Sequence, residues 1–142
     1  MQLQPAEAEA VSLEAGAFAR ALPDPTARAR YEALAASAAS GAIPEELEGA
    51  LATMLELVFD TGHPTNRAVL QSVYAKTQRG KQQAAAAREV NRALESLRGQ
   101  TLAQLRVAAG PSLQTLSIET ERVRVQIEFD RRGARITQLE AG

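Results

Sequence analysis

The spacing of apolar residues changes near Gly99, and this change constrains the fold more than any other feature of the sequence. Before that residue, apolar side chains recur at intervals of three and four, which places them on one side of a helix. After Leu113 they alternate with polar residues, as in strands that bury one face. The clearest helical series is Leu47, Leu51, Met54, Leu55, Val58 and Phe59. The sequence therefore predicts an α+β fold, with helices first and strands last.

Start and stop signals divide the first part of the chain into a bundle of about four helices. Pro44 and the two glutamates after it are typical of a first helical turn, because carboxylates favour the positive end of the helix dipole. Leu22-Pro-Asp-Pro25 interrupts the helical pattern, so residues 1–25 are predicted to be a mobile or loosely held amino-terminal arm that can contain a short helix. The remaining residues, 26–142, are predicted to form a single α+β domain with its helices within 26–99.

The strands are predicted within residues 102–140, as a three- or four-stranded antiparallel β-meander. Turn-forming residues occur at 109–112 and at 130–133, where Gly133 can supply a positive φ. Residues 101–108 fit either a helical turn or a strand. Such a meander would turn one apolar face toward the helices and leave arginines on the other face.

The composition excludes several kinds of functional site. The chain has no cysteine, which rules out disulfides, thiolate metal sites and cysteine nucleophiles. Its one histidine, His63, lacks carboxylates at ligand spacing, and no serine stands in a nucleophile-elbow context. Glu56 and Asp60 are interpreted as solvated surface, and residues 79–82 lack the first glycine and the hydroxyl of a phosphate-binding loop. We therefore predict a non-enzymatic protein without catalytic residues, metal or cofactor.

The net charge of −1 conceals a strong division along the chain. Residues 1–61 hold ten acidic and three basic residues, whereas residues 62–98 hold seven basic and two acidic residues. A segregation of this kind indicates that the basic segment contacts an acidic partner, either within the protein or outside it.

Residues 65–97 are predicted to form two helices joined by a four-residue turn, Thr77–Gly80. With a helix before them and strands after them, their order is similar to that of a winged helix-turn-helix protein. Basic side chains on such a helix pair contact phosphates, and amides reach base edges. The residues predicted to bind DNA or a protein partner are Lys76, Arg79, Lys81, Arg88, Asn91 and Arg92.

The same basic residues have a second interpretation, because every amphipathic helix needs a solvated face. They would then complement the acidic helices of residues 26–60, in one molecule or across a dimer. Lys76 also stands where helix-turn-helix units usually carry a small residue. The leading hypothesis is therefore a non-enzymatic interaction or self-associating module, of regulatory or scaffold type, that forms a homodimer or binds another protein. DNA binding through residues 65–97 is the alternative.

No segment of the sequence has the pattern of a targeting or membrane segment. The first seven residues lack a basic start and an apolar core, and the longest uncharged stretch, residues 33–44, is too short to cross a bilayer. Fourteen arginines against two lysines are typical of a GC-rich bacterial genome. We expect a cytoplasmic bacterial protein without a membrane partner.

Overall fold

A computed structural model describes all 142 residues, as five helices followed by a four-stranded antiparallel sheet. The helices are α1 (Pro5–Ala21), α2 (Pro25–Ala39), α3 (Glu45–Thr61), α4 (Arg67–Lys76) and α5 (Gln78–Glu95). The strands are β1 (Leu102–Ala109), β2 (Gln114–Thr120), β3 (Val123–Asp130) and β4 (Gly133–Ala141). The predicted α+β class and the order of helices before strands are confirmed, with five helices rather than about four.

The additional helix is α1, which lies in the segment predicted to be a loosely held arm. Val11 and Ala15 of α1 have no exposed surface, so this helix belongs to the core. Its buried face consists mainly of alanines, which give little contrast in a hydropathy pattern but allow neighbouring helices to approach closely. Backbone hydrogen bonds also hold the residues before α1, since the Leu3 N–H donates to the Gly41 carbonyl at 2.9 Å.

The chain divides into two compact units, residues 1–81 and residues 82–142. The boundary falls within α5, between Lys81 and Gln82. Each unit has its own cluster of buried apolar side chains. The sequence has no marker of a boundary between residues 81 and 82, because the helix predicted after the Thr77–Gly80 turn includes both positions.

The core of the first unit is centred on α3, as its apolar series predicts. Leu51, Met54 and Leu55 are fully buried. They pack with Leu34 of α2 and with Leu70 of α4. The unit therefore buries one face of α3 against the surrounding helices.

In the second unit the strands pair in the order β1-β2-β3-β4. Ile118, Val125 and Ile127 are buried on the face that α5 covers with Val90. The opposite face is polar, and Arg124 on β3 donates to Glu119 on β2 at 3.0 Å. The β3–β4 turn has Gly133 at a φ of 116°, which agrees with the role predicted for this glycine.

Candidate functional site

A single residue, Thr77, joins α4 to α5, whereas the sequence predicted a turn of four residues. Thr77 is completely buried, and its hydroxyl donates to the Tyr74 carbonyl at 2.7 Å. The same hydroxyl accepts the Gly80 N–H at 3.0 Å, so Thr77 caps the first turn of α5. This connection is shorter than the three or four residues that join the helices of a helix-turn-helix unit.

Gly80 is the residue that allows this short connection. A Cβ at position 80 would overlap the Tyr74 carbonyl oxygen and would lie 2.8 Å from the carbonyl carbon. Because these are backbone atoms, a side chain could be accommodated only if the two helices moved apart. Gly80 therefore fixes the close approach of α5 to the end of α4.

Lys76, one of the predicted binding residues, forms an ion pair with a buried carboxylate. Its Nζ lies 2.6 Å from Oε2 of Glu7 on α1. Glu7 is 6 % exposed, and it also accepts the Ser72 hydroxyl at 2.7 Å and the Gln4 N–H at 2.8 Å. The Lys76 hydrogen bond lowers the pKa of Glu7 to about 2, and it outweighs burial, which acts in the opposite direction. Lys76 thus links α4 to α1.

Arg79 also contacts an acidic helix. Its guanidinium donates to Glu56 on α3 at 2.9 Å and to the Thr53 hydroxyl at 3.1 Å. The Tyr74 hydroxyl donates to the other oxygen of Glu56 at 2.8 Å. Burial, with the Glu56 carboxylate as a second cause, raises the pKa of Tyr74 to about 12. Arg79 therefore neutralises a carboxylate of its own unit.

The remaining four predicted residues lie on α5 and are exposed. Lys81 belongs to the first unit, and Arg88, Asn91 and Arg92 belong to the second. None of the three cations forms a salt bridge within the chain. Arg88 and Arg92 are four residues apart and lie on the same face of the helix. The structure therefore separates the six predicted residues into two with internal partners and four available to solvent.

A surface that the sequence analysis did not single out lies on β1. We define the β1 surface as Leu102, Leu105 and Val107, which are 56 %, 60 % and 67 % exposed. Leu105 pairs with Ile118 on β2, and directly paired residues of an antiparallel sheet point to the same side. The β1 surface therefore continues the apolar face that α5 covers over the other strands.

A bulge in β1 explains why the sequence pattern was ambiguous here. Leu102 pairs with Thr120, but Gln104 pairs with Glu119, so Ala103 is an extra residue in the ladder. The extra residue breaks the alternation of apolar and polar positions. The apolar positions 102, 105 and 107 consequently fit the pattern of a helical turn as well as that of a strand.

The structure brings together no set of side chains resembling a catalytic or metal centre. His63 is an exposed loop residue between α3 and α4. No three acidic or histidine side chains gather closely enough to hold a metal ion. The ionisable groups that do converge, around Glu7, Glu56 and Arg135, are hydrogen-bonded to one another and link neighbouring helices or strands.

Comparison with protein-family models, with curated proteins and with solved structures gives no match to this chain. None of the five helices combines the length and the apolar content needed to cross a membrane. Two exposed features of the second unit are candidate binding surfaces, namely the β1 surface and the arginines of α5.

Proposed function

We propose that this protein is a non-enzymatic self-associating module and that the β1 surface makes the contact between two copies. The observation that carries the proposal is the exposure of Leu102, Leu105 and Val107 at one edge of an apolar face whose middle α5 covers. Burying a leucine or valine side chain is worth about 1.5–3 kcal/mol, so covering this surface is favourable. Clustered exposed apolar residues of this kind mark sites of protein association.

A second copy of the chain is a chemically suitable partner because the β1 surface carries no charge. A contact across a two-fold axis brings a surface against itself, so like charges within it would repel. The one charged residue of β1, Arg106, lies between Leu105 and Val107 and points to the opposite face of the sheet. The apolar residues can therefore meet their own copies without opposing charges.

Self-association predicts a dimer that a charge on β1 disrupts. We expect the protein to elute and scatter light as a dimer, and Val107→Glu to raise the dissociation constant at least about tenfold, because it removes an apolar contact and introduces repelling carboxylates. Size-exclusion chromatography with light scattering, checked by sedimentation equilibrium, measures both. Leu13→Glu is the matched control, since Leu13 on α1 is 64 % exposed but lies outside the sheet.

A wild-type protein that remains monomeric up to its solubility limit would contradict the proposed function. If the Val107 and Leu13 variants lost the dimer to the same extent, the contact between the two copies would not be made by the β1 surface. Circular dichroism of both variants establishes that the fold is retained, which we expect because each side chain is largely exposed.

DNA binding through the basic helix pair 65–97 is the second candidate function, and a separate observation favours it. Lys81, Arg88 and Arg92 are exposed and have no acidic partner within the chain. Since Lys76 and Arg79 already neutralise carboxylates, three cations rather than five remain for phosphates. The logarithm of affinity would then fall with the logarithm of salt concentration with a slope of about 3.

Fluorescence anisotropy with a labelled DNA duplex at low salt tests this second candidate. We expect binding that the double variant Arg88→Ala, Arg92→Ala abolishes. The variant Arg131→Ala, Arg132→Ala, which removes two exposed arginines of the β3–β4 turn, should retain it. The absence of binding at micromolar protein and low salt would eliminate DNA as a ligand of α5.

A further inference from the structure

We propose that two copies of the chain join through their β1 strands, which pair antiparallel across a two-fold axis at Val107 and create one eight-stranded sheet. This inference rests on the proposed self-association and specifies its geometry. It follows from three features of β1, namely a free edge, a nearly uncharged sequence and a regular segment in which an axis at Val107 keeps Arg106 away from its own copy.

The free edge comes from the position of β1 in the sheet. β1 pairs only with β2, so the other side of the strand has unpaired N–H and C=O groups. All eight of its residues are exposed. A strand edge of this kind is a template for another strand, because main-chain hydrogen bonds can form along its whole length.

The edge of β1 also lacks the features by which proteins usually protect exposed strands. It contains no proline and a single charge, Arg106. The other edge strand, β4, carries Arg135 and Glu140, and Arg135 pairs with both Glu128 and Asp130. Pairing of β1 with β4 would furthermore be heterologous and would build a ring or an open filament, whereas β1 with β1 closes at two copies.

The bulge restricts which residues can lie at the two-fold axis. Because Ala103 is the extra residue, the regular part of β1 is Gln104–Ala109. An axis at Arg106 would oppose two guanidinium groups, which is destabilising. An axis at Leu105 would place Val107 opposite the bulge.

An axis at Val107 avoids both problems. Val107 then faces its own copy, Arg106 faces Ala108, and Leu105 faces Ala109. A pair of β-branched residues directly across two strands is favourable. The apolar residues of both copies remain on one face and form a continuous band, in which side chains of the two β1 strands contact each other laterally.

The absence of cysteine allows a direct test of this register. We expect Val107→Cys to form a disulfide-linked dimer on mild oxidation, because only the residue at the axis faces itself. Leu105→Cys and Ala109→Cys should remain unlinked, since each would lie four residues along the strand from its own copy, about 13 Å. A disulfide requires Cα atoms within about 7 Å. Non-reducing gel electrophoresis of the three variants at equal concentration measures the result.

A charge placed at Ala108 tests the same register without oxidation. Ala108→Glu brings a carboxylate opposite Arg106 of the second copy and should lower the dimer dissociation constant about two- to fivefold. Ala108→Arg, the matched variant, opposes like charges and should raise it by a similar factor. Both substitutions are at an exposed position on the polar face, so the fold should be retained.

The outcomes separate this inference from the function on which it rests. A dimer that Val107→Cys does not link, or that Leu105→Cys links instead, overturns the proposed pairing and leaves self-association standing. Equal effects of Ala108→Glu and Ala108→Arg likewise overturn it. A monomeric wild-type protein contradicts both proposals.

Discussion

Replacing Gly80 with alanine is expected to lower the free energy of unfolding of the first unit by about 1–3 kcal/mol or more, since overpacking costs this much. The new Cβ would overlap the Tyr74 carbonyl and would force the first turn of α5 away from the end of α4. Gly80 has no positive φ, so the effect is one of space rather than of backbone conformation. Tyrosine fluorescence during urea unfolding measures it, because both tyrosines, Tyr31 and Tyr74, lie within residues 1–81 and the chain has no tryptophan.

Gly49→Ala provides the matched control for this experiment. Gly49 lies inside α3, it is exposed, and a Cβ there would meet nothing within 4 Å. Alanine in a helix interior is favoured over glycine by about 0.5–1 kcal/mol, so this variant should be more stable than the wild type. If the Gly80 variant were as stable as the Gly49 variant, α5 would not approach the Tyr74 carbonyl closely enough to require glycine at position 80.

Glu7→Gln is expected to lower the free energy of unfolding at neutral pH by about 1–3 kcal/mol. The substitution keeps the shape of the side chain but removes the charge that Lys76 and the Ser72 hydroxyl contact, and it leaves Lys76 without its carboxylate. This loss of free energy is smaller than the full pKa shift would correspond to, because the Lys76 side chain is 36 % exposed and solvent screens the ion pair. Urea unfolding at pH 7 measures the difference, and Glu9→Gln, at an exposed position of α1, is the control.

The contribution of Glu7 should depend on pH in a defined direction. Its pKa in the folded protein is about 2, below the ordinary value of 4.5. The unfolded chain therefore takes up a proton first, and the stabilisation, complete above pH 4.5, is lost as pH falls through about 2. The stability difference between the wild type and Glu7→Gln should shrink over this interval. A difference that stays constant from pH 7 to pH 2 would contradict the ion pair.

Several of the elements predicted correctly from the sequence have strong apolar contrast. In α3 and in β2 to β4, large aliphatic residues recur against charged ones, so the period of the pattern identifies the element. The buried face of α1 consists of three alanines, Val11 and Glu7, and so small and polar a face differs little from a surface in its hydropathy. The strand pattern of β1 is also weak, because the one extra residue of the bulge interrupts the alternation of apolar and polar positions.

The candidate surfaces could be predicted only in part, because their chemistry depends on contacts between distant residues. The segregation of charge indicated that basic residues complement acidic helices, and Arg79 does contact Glu56. Glu7 and Lys76, in contrast, are 69 positions apart, and nothing local marks them as partners. The exposure of Val107 likewise depends on how far the packing of α5 extends across the sheet. This extent is a property of the tertiary structure, and no sequence pattern indicates it.

The nearest-neighbour order of the four strands has a consequence for the rate of folding. Each strand pairs with the strand next to it in sequence, across connections of four, two and two residues. Isolated hairpins close within about 1–10 μs, and a sheet of low contact order folds faster than one with distant pairings. The sheet can therefore grow by successive hairpins, and local turns such as that at Gly133 limit its speed. Such rapid growth shortens the time for which the inner strands of a newly made chain stay unpaired and prone to aggregate.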